Sequence, residues 1–482
     1  MPTFSARTPI AAPAAALFDW HERPGAFRRL SPPWQTVEMR RFEGIRTGDV
    51  AEFALRAGPA AVTWVAEHHA YTDACRRGEG VCSFTDIQRQ GPFAAWTHRH
   101  DMVPAGDASV LHDEVQYTLP LAPLSRPARG FAEGEIERMF GYRHRVTAAD
   151  LARHQAWAGG GLTVAVTGAS GLLGDALASF LTTGGHRVVR LVRSREAAAA
   201  DPGRGLERRV YWNVEDGEID TAALAALAPD AAVHLAGEPV YGFPWTTDKK
   251  RRIWESRTKG TLLFSRALAA LPTPPRVLLS ASASGIYGDT GALPVNESSP
   301  TGDGFLADVC RAWEAATAPA EDASIRTVHL RIGLVLSPAG GMLGTLGPLA
   351  SLGLGGWPGS GDAFWPWIAL DDVLYAMHHL LGADVRGPVN IAAPAPSTAR
   401  ATVKALGRAL RRPAVLRAPA PLLRTLGGEA ARELALKSVR MIPARLRESG
   451  YRYAYPTLDG ALGHLYGRAP FPSASQVTAL AS

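Results

Sequence analysis

The sequence predicts an α/β chain, a doubly wound parallel sheet preceded by an α+β domain built on an antiparallel sheet. Three observations predict it. The stretch Thr163–Gly174, TVAVTGASGLLG, reads as a buried strand, a tight glycine turn and a helix start. From there to Ile391, apolar strand-like runs alternate with helical segments, the pattern of βαβ units. Before residue 155, apolar and polar residues instead alternate with period two between Gly, Pro and Asp turns, as in antiparallel strands. At 482 residues the chain also exceeds the size of one hydrophobic core, so several domains are expected.

In the first domain, residues 1–155, Phe4–Ile10 is a strand and Ala14–Trp20 a short helix behind Pro13. Alternating stretches follow at Ala51–Leu55, Val62–His69, Gly80–Gln88, Phe93–Met102 and Ser109–Leu119. Gly130–Leu151 has the periodicity of a helix able to pack across that sheet, and such an arrangement encloses room for a small apolar ligand. His98 and His100 share one strand face, as metal ligands on a strand would. No third ligand stands at a telling spacing, so these two, with Asp113 and His144, are read as solvated or core-edge side chains and no metal is expected.

Residues 156–162 form a small, glycine-rich linker. In the second domain, 163–398, Gly168 permits the turn, Gly171 leaves room for phosphates, and Gly174 lets helix and strand pack closely; Ser170 and Leu172 complete the loop. A diphosphate at such a helix start meets free backbone N–H groups and a favourable dipole. This is the Rossmann reading, with an NAD(P) cofactor. The next strand, His186–Val192, ends on Arg193 rather than on an acidic residue, which suits a 2′-phosphate and favours NADP over NAD. After strands Arg209–Trp212 and Ala231–Leu235, the small residues Ala236 and Gly237, followed by Glu238, border the cofactor crevice. The strand Arg276–Ser280 leads into a hydroxyl-rich turn in which Ser282 is the candidate for holding a substrate oxygen. Arg331, at a later strand end, is a candidate for a substrate anion, or else a partner in a salt bridge. Ser337–Gly361 reads as a long Gly/Pro lid, and one of Asp371 and Asp372 as a helix cap. A small C-terminal domain spans 399–466, and 467–482 reads as a flexible tail.

Two resemblances sharpen this. Phe84–His100, Asp113–Pro120 and Phe140–His144 resemble the START-related (SRPBCC, helix-grip) ligand-binding module, in which a curved sheet grips its C-terminal helix. Gly168–Gly174, Leu235–Pro239, Ser256–Thr261, the serine turn through Tyr287-Gly288-Asp289, Arg331–Leu336 and Trp367–Val373 resemble the atypical extended short-chain dehydrogenases/reductases, in the NAD-dependent epimerase-like branch with its small terminal domain. That resemblance implies a cofactor-dependent oxidoreductase or epimerase-like enzyme. It also exposes a departure, since no Tyr lies between Tyr287 and Tyr375 and no Lys between Lys259 and Lys404. The superfamily's Tyr/Lys catalytic pair is missing, and a phenol of ordinary pKa near 10 is a poor base without its Lys. Cys310 stands near the lysine's place. Tyr287, Glu238, Asp308, Lys249 and Lys259 are the conceivable substitutes.

The net charge of +6 is dispersed, which argues against nucleic acid, and no apolar run of 18 or leader is evident, which argues against a membrane span and for the cytoplasm. Cys75, Cys82 and Cys310 form no metal-like cluster and imply no disulfide framework. The expected function is an NADP(H)-dependent oxidoreductase or nucleotide-sugar-epimerase-like enzyme acting on a small molecule. The alternative is a non-catalytic NADP(H)-binding sensor coupled to an apolar ligand in the first domain. Substrate and oligomeric state are not legible.

Overall fold

The structure is a computed structural model describing residues 1–58, 60–121, 127, 129–201, 203, 205–242, 244–473 and 475. It divides into two compact units, the first made of residues 1–160, 182–185 and 464–482, the second of 161–181 and 186–463.

The first unit runs β1 (Thr3–Ile10), α1 (Ala14–Glu22), α2 (Ala26–Leu30), β2 (Thr36–Phe42), β3 (Val50–Ala57), β4 (Ala60–Asp73), β5 (Cys82–Gln90), β6 (Ala95–Ala105), β7 (Ala108–Thr118) and α3 (Arg129–Gln155). Its seven strands pair antiparallel in the order β1-β7-β6-β5-β4-β3-β2. Period-two burial is clearest on β6 and β7, where Trp96, His98, His100 and Met102 face inward beside Leu111, Asp113, Val115 and Tyr117. The helix α3 sends Ile136, Phe140 and Val146 into that core. The short α2 and strand β2 lack a strong sequence period and were not expected. Cys75 and Cys82 are joined by a disulfide, where the sequence implied no disulfide framework. Cys75 sits in the turn that joins β4 to β5, and the hairpin brings it to 5.1 Å (Cα–Cα) from Cys82. The tail from residue 467 was expected to be loose, yet the main-chain carbonyls of Ala469 and Pro470 accept hydrogen bonds from Arg145, and Phe471 packs beside Phe140. Of that tail, 474 and 476–482 lie outside the described residues.

The second unit begins with β8 (Thr163–Thr167), α4 (Leu172–Thr183), β9 (Arg187–Val192), α5 (Arg195–Ala199), β10 (Glu207–Asn213), β11 (Glu218–Ile219), α6 (Thr221–Leu227) and β12 (Ala231–His234). It continues with α7 (Thr247–Ala269), β13 (Val277–Ala283), β14 (Pro294–Val295), α8 (Phe305–Ala315), α9 (Ala318–Asp322), β15 (Arg326–Ile332) and β16 (Leu334–Leu336). Next come α10 (Gly341–Ser351), β17 (Gly355–Pro358), β18 (Phe364–Trp365), β19 (Trp367–Ala369), α11 (Leu370–Gly382) and β20 (Gly387–Ile391). The last elements are β21 (Ser397–Thr398), α12 (Ala399–Leu410), β22 (Ala414–Ala418), α13 (Ala420–Ala431), β23 (Arg440–Met441), α14 (Ala444–Glu448) and α15 (Leu458–Leu465).

The main sheet has the order β11-β10-β9-β8-β12-β13-β15-β20, parallel throughout except for β11. Strand order reverses between β8 and β12, so the crevice beyond their carboxyl ends is where such sheets take ligands. Buried Ala165, Val189, Ala232 and Leu278 meet Leu224, Phe264 and Leu268 of the helices to form one core.

Two expectations change here. The Gly/Pro stretch expected as a lid contains the helix α10, with Pro348 inside it. Met342 and Leu346 pack against Trp365, Val403 and Ala414, and this apolar contact outweighs the poor helix propensity of the segment. Asp372 is not a helix cap. It lies in the first turn of α11, buried, and accepts hydrogen bonds from Tyr451 Oη at 2.8 Å and from the N–H groups of Ala454 and Tyr455 at 2.8 and 2.9 Å.

Candidate functional site

The glycine turn is built as its spacing requires. Gly168 has φ +66°, and a Cβ there would stand 2.8 Å from Ala236 N at the end of β12. A Cβ on Gly174 would lie 2.2 Å from Gly168 O, so only glycine lets α4 start this close to the strand. Ser170 and Gly171 are exposed, while Leu172 is half-buried, its side chain near Gly340 ahead of α10. Arg190 on β9 donates to Ala169 O at 2.7 Å, which ties β9 to the turn. Arg193, just past the end of β9, is exposed and makes no ion pair among the described residues. Arg195, by contrast, is engaged by Glu218 and by the ring of Tyr211.

At the end of β12, Gly237 is exposed and Glu238 receives a hydrogen bond from Lys249 Nζ at 2.7 Å. That bond, reinforced by the charge of Lys249, holds the Glu238 carboxyl below its ordinary pKa. Glu238 is therefore not a general acid raised by burial, and Lys249 is engaged by it. Lys259 points outward to Glu255, and Asp308 pairs with Arg311 on the surface. The helix α7 instead turns Arg257 inward, donating to Glu238 O at 2.9 Å and lying over the Trp313 ring. Sequence reasoning missed Arg257, although it stands inside the quoted Ser256–Thr261 motif.

Ser282, Arg331 and Asn390 stand side by side on β13, β15 and β20, because Ser282 is in register with Arg331 and Arg331 with Asn390. Ser282 Oγ donates to Glu314 Oε1 at 2.7 Å. Arg331 donates from Nε and Nη2 to the two oxygens of Glu314, at 2.9 and 3.0 Å, and from Nη1 to Tyr287 Oη at 3.0 Å. Tyr287 in turn donates to Asn390 Oδ1 at 2.7 Å. Ser282, Tyr287 and Arg331 are thus brought together, but 94% or more buried and mutually satisfied.

Arg331 is consequently the buried ion pair, not an open receiver for a substrate anion. Tyr287 is turned into the network, and burial pushes its pKa up, against the pull of Arg331, so its phenol is neutral. Glu314 and Asn390 were not anticipated as site residues. The available signal was that Glu314 lies one turn beyond Cys310 on the helix that should carry the missing pair. Cys310 is buried, its thiol pushed up to about 11 by burial, and therefore neutral. The cation that acts on this thiol is Arg257, which draws its pKa down against burial.

Fold and site together define a dinucleotide-binding α/β protein of the Rossmann class. The family model for the NAD dependent epimerase/dehydratase family matches residues 164–392, and a domain of unknown function, DUF1731, matches 418–465. Epimerase family protein Mb2239 of Mycobacterium bovis is 39% identical over 302 residues, covering 62% of this chain and 96% of that protein. Human epimerase family protein SDR39U1 is 32% identical over 305 residues, 62% of this chain and 98% of that one. The chain belongs to this epimerase family. Among solved structures, the nucleoside-diphosphate sugar epimerase from Corynebacterium glutamicum matches with TM-score 0.77 at 31% identity, covering 99% of this chain and 93% of that one. Human SDR39U1 (isoform 2), solved with NADPH, matches with TM-score 0.56 at 32% identity over 63% of this chain and 99% of that one. Among the described residues, no helix is long and apolar enough to cross a membrane.

Proposed function

We propose that the second unit is an NADP(H)-dependent oxidoreductase or nucleotide-sugar-epimerase-like enzyme acting on a small-molecule substrate. The observation that carries the cofactor choice is Arg193, an exposed guanidinium without an ion-pair partner among the described residues, at the end of the strand beside the glycine turn. The residues present fit the dinucleotide, since Gly168 and Gly174 admit no side chain, and Gly171 and Gly237 face outward beside them. Gly168, Ser170, Gly171, Leu172, Gly174, Ala236, Gly237 and Glu238 would hold it, with Arg193 on the 2′-phosphate. The NADPH of the human relative supports the same choice. A bound nicotinamide supplies hydride exchange with a carbon that bears oxygen. The chain's own part falls to Ser282. Its proton is directed to Glu314, which leaves an Oγ lone pair to accept from a substrate hydroxyl, while Arg331 and Tyr287 hold Glu314 and the strand ends in place.

The test is titration of the full chain with NADPH and NADH, following nicotinamide fluorescence. NADPH should bind far more tightly, and Arg193→Gln should weaken it about 10–100-fold, as expected for losing charged hydrogen bonds, without changing NADH binding. Binding of neither nucleotide overturns the reading.

The closed network around Ser282, with a neutral thiol near the lysine's place, favours a second reading, a non-catalytic NADP(H)-binding sensor. In it the first unit is a START-related module for an apolar ligand, supported by the seven-stranded antiparallel sheet and the 27-residue helix α3 packed on it. Turnover of NADPH with a panel of carbonyl substrates, lost in Ser282→Ala, separates the two readings.

A further inference from the structure

The geometry points to a divalent transition-metal site inside the first unit, with Asp86, His98 and His100 as ligands and Asp113 as the carboxylate that orients the two imidazoles. Cross-strand register builds it. Asp86 on β5 stands opposite His98 on β6, and His100 stands opposite Asp113 on β7, all on the face turned toward the core. His98, His100 and Asp113 are 2%, 8% and 3% exposed, not solvated or at the core edge as the sequence suggested.

His98 Nδ1 lies 3.0 Å and His100 Nε2 3.5 Å from Asp86 Oδ2, and the three residues each offer a ligand atom within 4.8 Å of the others. Ligands bound tetrahedrally at about 2.0–2.1 Å stand about 3.3 Å apart, so these separations already match the edges of such a site. The far side of each ring meets Asp113. His98 Nε2 is hydrogen-bonded to its Oδ1 at 3.1 Å, and His100 Nδ1 lies 2.7 Å from the same oxygen, though out of line for a hydrogen bond. A carboxylate behind a ligating imidazole is the usual way its tautomer and orientation are set. Asp113 is held by His144 Nε2 at 2.7 Å, and His144 Nδ1 is bonded to Thr8 Oγ1 at 2.8 Å.

When the Nε2–H of His98 is given to Asp113, the lone pair on Nδ1 faces the Asp86 carboxylate at 3.0 Å. A cation placed between them would be held by both the ring nitrogen and the carboxylate. The sign of the charge agrees, because the carboxylates of Asp86 and Asp113 attract a cation to the imidazoles in place of the protons those rings would otherwise hold. Two imidazoles and a carboxylate suit Zn²⁺, Co²⁺ or Fe²⁺ and leave coordination positions for water or a ligand.

The site is independent of the NADP(H) reading, and its test reads metal alone. The full chain, free of any affinity tag, is stripped with a chelator, gel-filtered and titrated with Co²⁺ and then Zn²⁺. One equivalent of Co²⁺ should bind with the intense visible bands of a four- or five-coordinate N/O site, be displaced by Zn²⁺, and remain as one Zn²⁺ per chain by elemental analysis. Asp86→Asn and His100→Gln should abolish the bands, and Asp113→Asn should weaken Zn²⁺ about 10–100-fold. Wild-type protein that retains neither ion at micromolar concentration overturns the proposal, leaving a hydrogen-bonded His/Asp cluster only. So does unchanged binding in Asp86→Asn and His100→Gln. Because the wild-type titration decides by itself, a variant that fails to fold does not blunt the test.

Discussion

Arg331 and Glu314 meet side-on in the second unit, with Nε and Nη2 of the guanidinium on the two carboxylate oxygens at 2.9 and 3.0 Å. Their side chains are 7% and 13% exposed, so each depends on the other for its solvation. Removing one partner strands a buried charge, whereas removing both does not. Arg331→Met is expected to destabilise the protein by about 3–5 kcal/mol, and the double variant Arg331→Met/Glu314→Leu to recover most of that loss, by chemical denaturation followed through Trp fluorescence. If the double variant is no better than the single, the pair is not the source of the loss.

Gly174 tests the turn. A Cβ placed 2.2 Å from Gly168 O forces α4 away from the strand, so Gly174→Ala should lower the unfolding temperature and weaken NADPH together. Gly160→Ala, where a Cβ meets nothing within 4 Å, should change neither. Equal behaviour of the two variants would contradict the close-packing role.

Asp372 pins the 451–455 strap through three hydrogen bonds. Asp372→Ala leaves those donors without their carboxylate, at about 1–3 kcal/mol each at most. The expected result is a loss of a few kcal/mol and new proteolytic cleavage near residues 443–457, read by limited proteolysis and mass spectrometry. Resistance equal to wild type would rule out the anchoring role.

His234 gives a pH dependence with a definite sign. Burial, helped by the positive charge of Arg257, lowers its pKa to about 3, and Thr167 Oγ1 lies 2.7 Å from its Nδ1. Below about pH 6.5 the unfolded chain takes up a proton that the native imidazole refuses, so stability falls as pH drops from 6.5 toward 3. This group contributes at most about 1.4 kcal/mol per pH unit over that window. His234→Gln should flatten the acid limb of a stability–pH curve, measured by denaturation between pH 7 and 5, and leave its neutral plateau in shape.

The sequence by itself determined whatever depends on near neighbours along the chain. Period-two alternation marked β3 to β7, the helical period marked α3, and glycines three apart marked the β8–α4 turn, because backbone geometry repeats over two to four residues. Only the tertiary structure decided what depends on residues meeting across strands. The register of β13, β15 and β20 lines up Ser282, Arg331 and Asn390, which are 49 and 59 residues apart in the chain. The same physics gathers Asp86, His98, His100, Asp113 and His144 into one buried cluster, and apolar contacts make α10 helical despite its glycines and proline. Which side chain neutralises or satisfies another is set by that packing, and no local period carries it.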